Sequence, residues 1–157
     1  MQMPARVLTS LFLLLGVMDY ANARLQSDTS LVLRALTRHY CAKYKPSIAI
    51  LSSTAETFSD NAQNRIMLRD YFRNDEAVDD YFANNRKDAR LPEGTWHSCF
   101  SVTDGQSRFV LSVPAFTRSR GTAFVYLGEP GNHAEIYVLQ LRARRWRVIE
   151  RIAMWVS

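Results

Sequence analysis

The C-terminal stretch Phe109–Ser157 most constrains how this chain can fold. It contains three segments of strand-forming residues, at Thr122–Leu127, Ala134–Arg142 and Trp146–Trp155. Only a few residues join each segment to the next, and short connections of this kind join antiparallel neighbours. The stretch therefore predicts three or four antiparallel strands. Apolar residues on both faces of the last segment favour an interior strand, or one whose outer face is covered.

The earlier part of the chain carries helical periodicity. An apolar stripe at spacings of three and four follows Thr29 and predicts a helix that ends before Pro46. A second stripe follows Ser59 and runs to about Asn85, with a break at Asn74-Asp75. Helices first and a meander last predict an α+β domain, in which N-terminal helices pack on a curved C-terminal antiparallel sheet.

Shorter extended segments lie between these regions. Ile48 and Ile50 suit a short strand or an extended crossing segment. Residues Trp96–Thr103 and Phe109–Val113 predict two strands of a hairpin, because Asp104-Gly105 between them is a strong hairpin turn.

The N-terminus carries the pattern of a secretory signal peptide. Arg6 precedes the apolar run Val7–Val17, and the small-residue site Ala21-Asn22-Ala23 follows it. The run is shorter than the roughly 20 residues of a bilayer-spanning helix, which argues against the alternative of a retained anchor. We therefore expect residues 1–23 to be removed by cleavage after Ala23. The mature chain is predicted to be periplasmic, without a stable membrane anchor, and residues 24–157 to form a single α+β domain.

The chain has two cysteines, Cys41 and Cys99. An even count in an exported protein predicts a disulfide, and the loop it closes predicts a stabilisation of about 4 kcal/mol. Two separate buried thiols are the alternative. A catalytic Cys99 beside His97 is disfavoured, because a nucleophilic thiol must stay reduced.

Part of the C-terminal region resembles a group of exported bacterial proteins of unassigned function. The resemblance is carried by Ser112–Thr117, Ala123–Gly128, Tyr137–Leu141 and Trp146–Val148, about a third of the mature chain. This chain departs from the group's pattern by having Ala115 in place of a glycine and no glycine in its last turn. The resemblance implies the sheet fold more than a function. The shape is also similar to cystatin-like and NTF2-like sheets, which serve mostly as binding scaffolds.

The sequence indicates no catalytic residues, no metal site and no cofactor. His39, His97 and His133 lack the spacing of metal ligands, and there is no glycine-rich phosphate loop. Two acidic pairs, Asp75/Asp79 and Glu76/Asp80, share helix faces and are candidates for cation binding or acid–base chemistry. The favoured interpretation is a solvated face with arginines nearby. An enzyme is not excluded, but a non-enzymatic protein is the better prediction.

Arginine is concentrated in the C-terminal region, and the chain as a whole carries a formal net charge of +5. Such a cluster predicts an anion-binding surface, or else a solvated outer hairpin. A nucleic-acid partner would suit the charge but not export. The expected partners are an acidic periplasmic protein, a peptidoglycan carboxylate or a lipid phosphate. The candidate residues are Arg118, Arg120, Arg142, Arg144, Arg145, Arg147 and Arg151.

Two functions follow as hypotheses. The first is a non-enzymatic periplasmic protein that binds another protein, for example an inhibitor or immunity protein against an envelope-acting toxin or hydrolase. The second is a binder of a small molecule or an anionic envelope component, or a weak hydrolase, with a pocket between helices and sheet. The second hypothesis predicts a deep cavity lined by Tyr71, Phe82, Trp96 or Trp155 with a polar group inside.

Overall fold

The computed structural model of the protein describes residues 28–44, 48–51, 58–86, 89–92, 99–103, 109–129 and 133–154. The proposed signal peptide, residues 1–23, lies outside this part. The helices are α1 (residues 28–44), α2 (Ala62–Phe72) and α3 (Asp75–Asn84). The strands are β1 (Ile48–Leu51), β2 (Phe100–Thr103), β3 (Val110–Leu111), β4 (Ala115–Phe116), β5 (Thr122–Glu129), β6 (His133–Arg142) and β7 (Arg145–Met154). No helix among the described residues is both long and apolar enough to cross a membrane.

The C-terminal strands form an antiparallel sheet, as predicted. Its order is β3-β5-β6-β7, and β4 pairs with β5 beside β3. The chain runs directly from β5 to β6 to β7, so the three long strands form the predicted meander. With the helices before it, this sheet confirms the α+β fold class.

The predicted hairpin before the meander is wrong. Strand β2 pairs in parallel with β1, with Ile48 opposite Phe100, and a parallel bridge joins Ile50 to Phe109 at the start of β3. Strand β1 therefore takes the place beside β3 that the Asp104-Gly105 turn predicted for β2. Turn chemistry acts locally, but a partner from elsewhere in the chain can occupy the edge that a hairpin would use.

Helices cover both faces of the sheet. Alternate residues of β5 point to opposite faces, so Val125 joins the core beneath α1 while Phe124 joins the core beneath α2 and α3. On the second face the Phe124 ring stacks on Phe72 of α2 at 4.5 Å between centroids. Because both faces are covered, the side chains from Ala123 to Leu127 are all buried. The predicted packing of helices on the sheet is thus confirmed. The helices lie on both faces, so the fold has three layers.

Strand β7 ends the sheet among the described residues, although its apolar pattern favoured an interior strand or one whose outer face is covered. The register shifts between Val138 and Leu139, which face Glu150 and Val148 respectively. The extra residue is Ile149, and this β-bulge reverses the side-chain alternation along β7. Residues before the bulge contact the core under α1, and those after it contact the core under α2 and α3. The bulge therefore explains why apolar residues of β7 lie on both faces of the sheet.

The break between the second and third helices lies where the sequence predicts it. Helix α2 starts from Asn61, whose side chain accepts a hydrogen bond from the Asn64 amide. It ends at Arg73 in the left-handed conformation, with φ 51°. Asn74 then caps α3 by accepting a hydrogen bond from the Ala77 amide. Two capping asparagines thus place α2 and α3 as separate helices on one face.

Candidate functional site

A groove lies between helix α1 and the β6–β7 hairpin, with a volume of about 440 Å³. We call it the arginine groove, because five arginines line it: two from α1 and three from the hairpin. Its lining residues are Leu31, Arg34, Ala35, Arg38, Arg144, Arg145, Trp146 and Arg147.

The helical repeat places the first two arginines in the groove. Val32, Leu33 and Leu36 of α1 are fully buried against the sheet. Arg34 and Arg38 are four residues apart, so they share the exposed flank of the helix. The amphipathic pattern that packs α1 on the sheet therefore also aligns these two cations along the hairpin.

A tight turn places the other three arginines. Arg142 pairs with Arg145 across a two-residue connection, in which Ala143 and Arg144 have φ 47° and 62°. Two positive φ values identify a type I′ turn, whose twist matches the flanking strands but which favours asparagine and glycine. Alanine and arginine are less stable at positive φ than asparagine or glycine, so this turn is less favourable than a typical type I′ turn. It places Arg144 at the tip of the hairpin.

The arginine groove carries uncompensated positive charge. None of its five arginines forms an ion pair with a residue in the described part of the chain. Other arginines do have carboxylate partners there: Arg65 with Asp60 and Asp79, Arg69 with Asp75, Arg120 with Asp28, and Arg151 with Glu135. Like charges at i and i+4 destabilise a helix slightly, so the pair Arg34 and Arg38 does not stabilise α1.

The groove also exposes apolar surface. Trp146 forms its floor, with its ring 5.9 Å from that of Phe116 in the core. Leu31 at the rim is 48% exposed, and Leu141, opposite Trp146 on β6, is 44% exposed. Trp146 itself is buried, so the exposed apolar surface beside the arginines is aliphatic.

The seven arginines proposed from the sequence do not form a single surface. Arg144, Arg145 and Arg147 line the arginine groove. Arg142 lies on β6 and donates a hydrogen bond to Gln140 at 2.7 Å. Arg151 lies beyond the bulge, in a separate polar network. Arg118 and Arg120 line a different cleft.

Arg34 and Arg38 were not among the residues predicted from the sequence. Their i,i+4 spacing on the face of α1 opposite Leu33 and Leu36 is visible in the sequence. What the sequence does not show is that this face adjoins the hairpin, because the contact joins residues more than a hundred positions apart.

The second cleft, of about 390 Å³, joins α3 to the turn after β4. Asp80 accepts a hydrogen bond from the Phe116 amide at 2.7 Å, and Glu76 accepts one from the Arg118 amide at 3.2 Å. One of the two acidic pairs therefore satisfies backbone groups at the short edge strand β4. The other pair, Asp75 and Asp79, is ion-paired with arginines of α2, as the solvated-face interpretation predicted.

Arg120 is anchored within the fold. Its Nε atom donates to Asp28 at the start of α1, at 3.1 Å, and its guanidinium lies 4.3 Å from the centre of the Phe116 ring. Arg118 is exposed and lies 3.8 Å from Glu76. Both predicted binding arginines thus face carboxylates of the same chain, which weakens them as ligands for an external anion.

A buried carboxylate, Glu135 on β6, lies under the C-terminal end of α1 and is 5% exposed. It accepts hydrogen bonds from the Tyr137 hydroxyl at 2.5 Å and from Arg151 at 2.9 Å, and His133 lies 3.1 Å away. The same Arg151 nitrogen donates to the Tyr44 hydroxyl. Burial, followed by the bond to Glu135, raises the pKa of Tyr137 above its ordinary range. The network holds β6, β7 and α1 together, and no pattern in the sequence predicted it.

The predicted disulfide is confirmed. Cys41 of α1 is bonded to Cys99 just before β2, with 5.8 Å between their Cα atoms. This bond ties α1 to the β1–β2 pair. The alternatives of two separate thiols and of a catalytic Cys99 are therefore wrong.

Two of the four residues expected to line a deep pocket belong to the packed interior. Phe82 is buried beside Tyr81, with 5.5 Å between ring centroids, and Tyr71 packs at the margin of the same cluster. Trp96 and Trp155 lie outside the described residues. Within the described ranges, no three His, Cys, Asp or Glu side chains are close enough together to hold a metal ion.

Comparison with known proteins gives no match: no family model fits the sequence, and no curated protein or solved structure is significantly similar. The resemblance of the C-terminal segments to exported bacterial proteins stays a prediction.

Proposed function

We propose that this protein is a periplasmic, non-enzymatic binding protein that holds an acidic partner protein in the arginine groove. One observation carries the proposal: five arginines from two distant parts of the chain line one groove at the sheet edge without a carboxylate partner among the described residues. Clustered like charge costs folding free energy. An external anion that neutralises the cluster accounts for it.

The composition and shape of the groove favour a protein over a small anion. Arg34 and Arg38 are one helical turn apart, about 6 Å along the axis, and the hairpin arginines lie along the adjoining edge of the sheet. Cations spread along a groove match several carboxylates better than one phosphate. Leu31 and Trp146 add the apolar contact that protein interfaces combine with arginine.

A specific form of this function is an inhibitor or immunity protein. Many envelope-acting hydrolases use carboxylates in their catalytic clefts, and an arginine-rich hairpin fits such a cleft by charge. The Cys41–Cys99 disulfide suits an oxidising compartment. Export through the proposed signal peptide would bring the protein to the same compartment as that target.

The experiment compares two double charge reversals. Arg34→Glu with Arg38→Glu removes the α1 side of the groove. Arg73→Glu with Arg90→Glu makes the same charge change at exposed positions outside it. Each protein is immobilised and exposed to periplasmic extract at low and high salt, and retained proteins are identified by mass spectrometry.

We expect an acidic protein to be retained by the wild type and by the Arg73/Arg90 control. Its affinity for the Arg34/Arg38 variant should be at least about tenfold weaker. Equal retention by both variants would refute the groove as the binding surface. If only vesicles containing anionic lipid bind in a groove-dependent way, the alternative of an anionic envelope component replaces the protein partner.

A further inference from the structure

Strand β7 leaves one edge of the main sheet open beside the arginine groove. Within the described part of the chain, β6 is the strand that pairs with β7, and β7 ends the order β3-β5-β6-β7. The first four residues, Arg145–Val148, precede the bulge and form a regular stretch of strand. An open edge of this kind presents unpaired N–H and C=O groups.

The register identifies which backbone groups point outward. The Leu141 amide donates to the Gly121 carbonyl, so the backbone of Leu141 is turned away from β7. In an antiparallel pair, a residue turned away from its neighbour faces one that is also turned away. Trp146, opposite Leu141, therefore directs its N–H and C=O out of the sheet. Val148, two residues further, does the same.

Arginines lie on both faces of this open edge. Trp146 packs into the core under α1, so Arg145 and Arg147 point to the opposite face by strand alternation. Arg34 and Arg38 extend from α1 on the Trp146 side. A strand laid along β7 would therefore meet positive charge above and below its own plane.

We propose that an acidic, extended segment of the partner protein adds to β7 as a further antiparallel or parallel strand along Arg145–Val148. The inference rests on the proposed function and specifies how the partner is held. Backbone hydrogen bonds to Trp146 and Val148 provide affinity, while carboxylates on both faces of the added strand contact the arginines. Strand addition thus explains why the arginines surround the edge.

Charge identifies the occupant as a partner rather than a second copy. Pairing of β7 with the same edge of another molecule would bring arginines against arginines, which is the usual protection of edge strands. The bulge at Ile149 also limits the regular edge to its first half. Residues 1–27 carry Asp19, Arg6 and Arg24, and residues 155–157 carry no carboxylate side chain, so neither segment is acidic enough to match the arginines.

The test uses a synthetic acidic peptide of about eight residues, the length of an ordinary strand, with glutamates at odd and even positions. Its partner peptide has the same sequence with alternate backbone nitrogens methylated. Methylation keeps the charge but removes the N–H groups that a sheet needs. Affinity for the full-length protein is measured by calorimetry, and amide exchange of Trp146 and Val148 by NMR.

We expect the unmodified peptide to bind at least about tenfold more tightly than the methylated one, since two or more hydrogen bonds are lost. It should also slow amide exchange at Trp146 and Val148. Equal affinities, both weakened by the Arg34/Arg38 reversal, would overturn strand addition and leave the acidic-partner function standing. Binding of neither peptide would overturn strand addition, and retention of an acidic protein would then decide the proposed function separately.

Discussion

Replacing Glu135 with glutamine perturbs a buried network while preserving the shape of the side chain. The wild-type carboxylate accepts from Tyr137 and from Arg151, at 2.5 and 2.9 Å. The amide of glutamine offers one acceptor oxygen in place of two, and its NH₂ group faces donors. We therefore expect E135Q to lose the bond to Arg151 and to weaken the bond from Tyr137.

The burial of Glu135 sets the size of the expected loss in unfolding free energy. A hydrogen bond to a charged group contributes about 1.5–3 kcal/mol when buried. Arg151 is 43% exposed at its side chain, so water compensates part of that loss. We expect E135Q to lower the free energy of unfolding by about 2 kcal/mol, and Tyr137→Phe by about 1.5 kcal/mol. Because both changes remove the same hydrogen bond, the double variant should lose about 1 kcal/mol less unfolding free energy than the two single variants together.

The assay is urea unfolding at pH 8, followed by tryptophan fluorescence, for the wild type and the three variants. A loss of 2 kcal/mol should lower the melting temperature by about 4–8 °C. Tyr71→Phe is the matched control, because Tyr71 packs in the other core cluster, outside this network, and its loss of a hydroxyl should change stability by less than about 0.5 kcal/mol. Strict additivity of E135Q and Tyr137→Phe, within about 0.3 kcal/mol, would refute the shared bond.

Four further outcomes are expected. Replacing Cys41 and Cys99 with serine opens a 58-residue loop and should lower stability by about 4 kcal/mol; reductant should have little effect on the serine variant. Gly128→Ala should cost about 2 kcal/mol in urea unfolding, because the new Cβ would lie 2.8 Å from Ala134 Cα. Burial raises the pKa of Tyr126 to about 12. Above pH 10 the folded state therefore binds more protons at Tyr126 than the unfolded state does. This stabilisation is fully present below pH 10, and between pH 10 and pH 12 the free energy of unfolding should fall by about 1.4 kcal/mol per pH unit. Tyr126→Phe should remove this part of the pH dependence. Arg38→Gln should raise stability by up to about 0.5 kcal/mol at low salt, an effect that vanishes at high salt.

Each of these outcomes has a result that contradicts it. Unchanged stability of the serine variant would mean that the disulfide does not constrain the unfolded chain. A neutral Gly128→Ala would show that β5 and β6 can separate locally at no cost. An unchanged alkaline slope in Tyr126→Phe would place that hydroxyl in contact with water. A loss of stability in Arg38→Gln at low salt would mean that the groove charge is already compensated.

Much of the fold could be predicted because its signals are local. The strand-forming residue types of β5, the stripe of Leu33 and Leu36 in α1, and the break at Asn74 each depend on residues a few positions apart. The capping asparagine and the short β6–β7 turn act over the same range. The sequence also identified the three hairpin arginines of the groove.

What failed depended on contacts between distant segments. Strand β2 pairs with β1, and not with β3 as the local hairpin predicted. The bulge at Ile149 reverses which face of the sheet the following β7 side chains contact. Arg118 and Arg120 were grouped with the hairpin, although α3 carboxylates and Asp28 engage that turn.

The sequence by itself determined the helices, the long strands and the cysteine pair, since periodicity and turn chemistry are properties of neighbouring residues. The tertiary structure alone decided which faces the helices cover, and so which cations meet. Packing of α1 on the sheet places Arg34 and Arg38 at the same sheet edge as Arg144, Arg145 and Arg147. Burial of apolar faces fixes that arrangement, because the arginines themselves repel one another and could not assemble the groove.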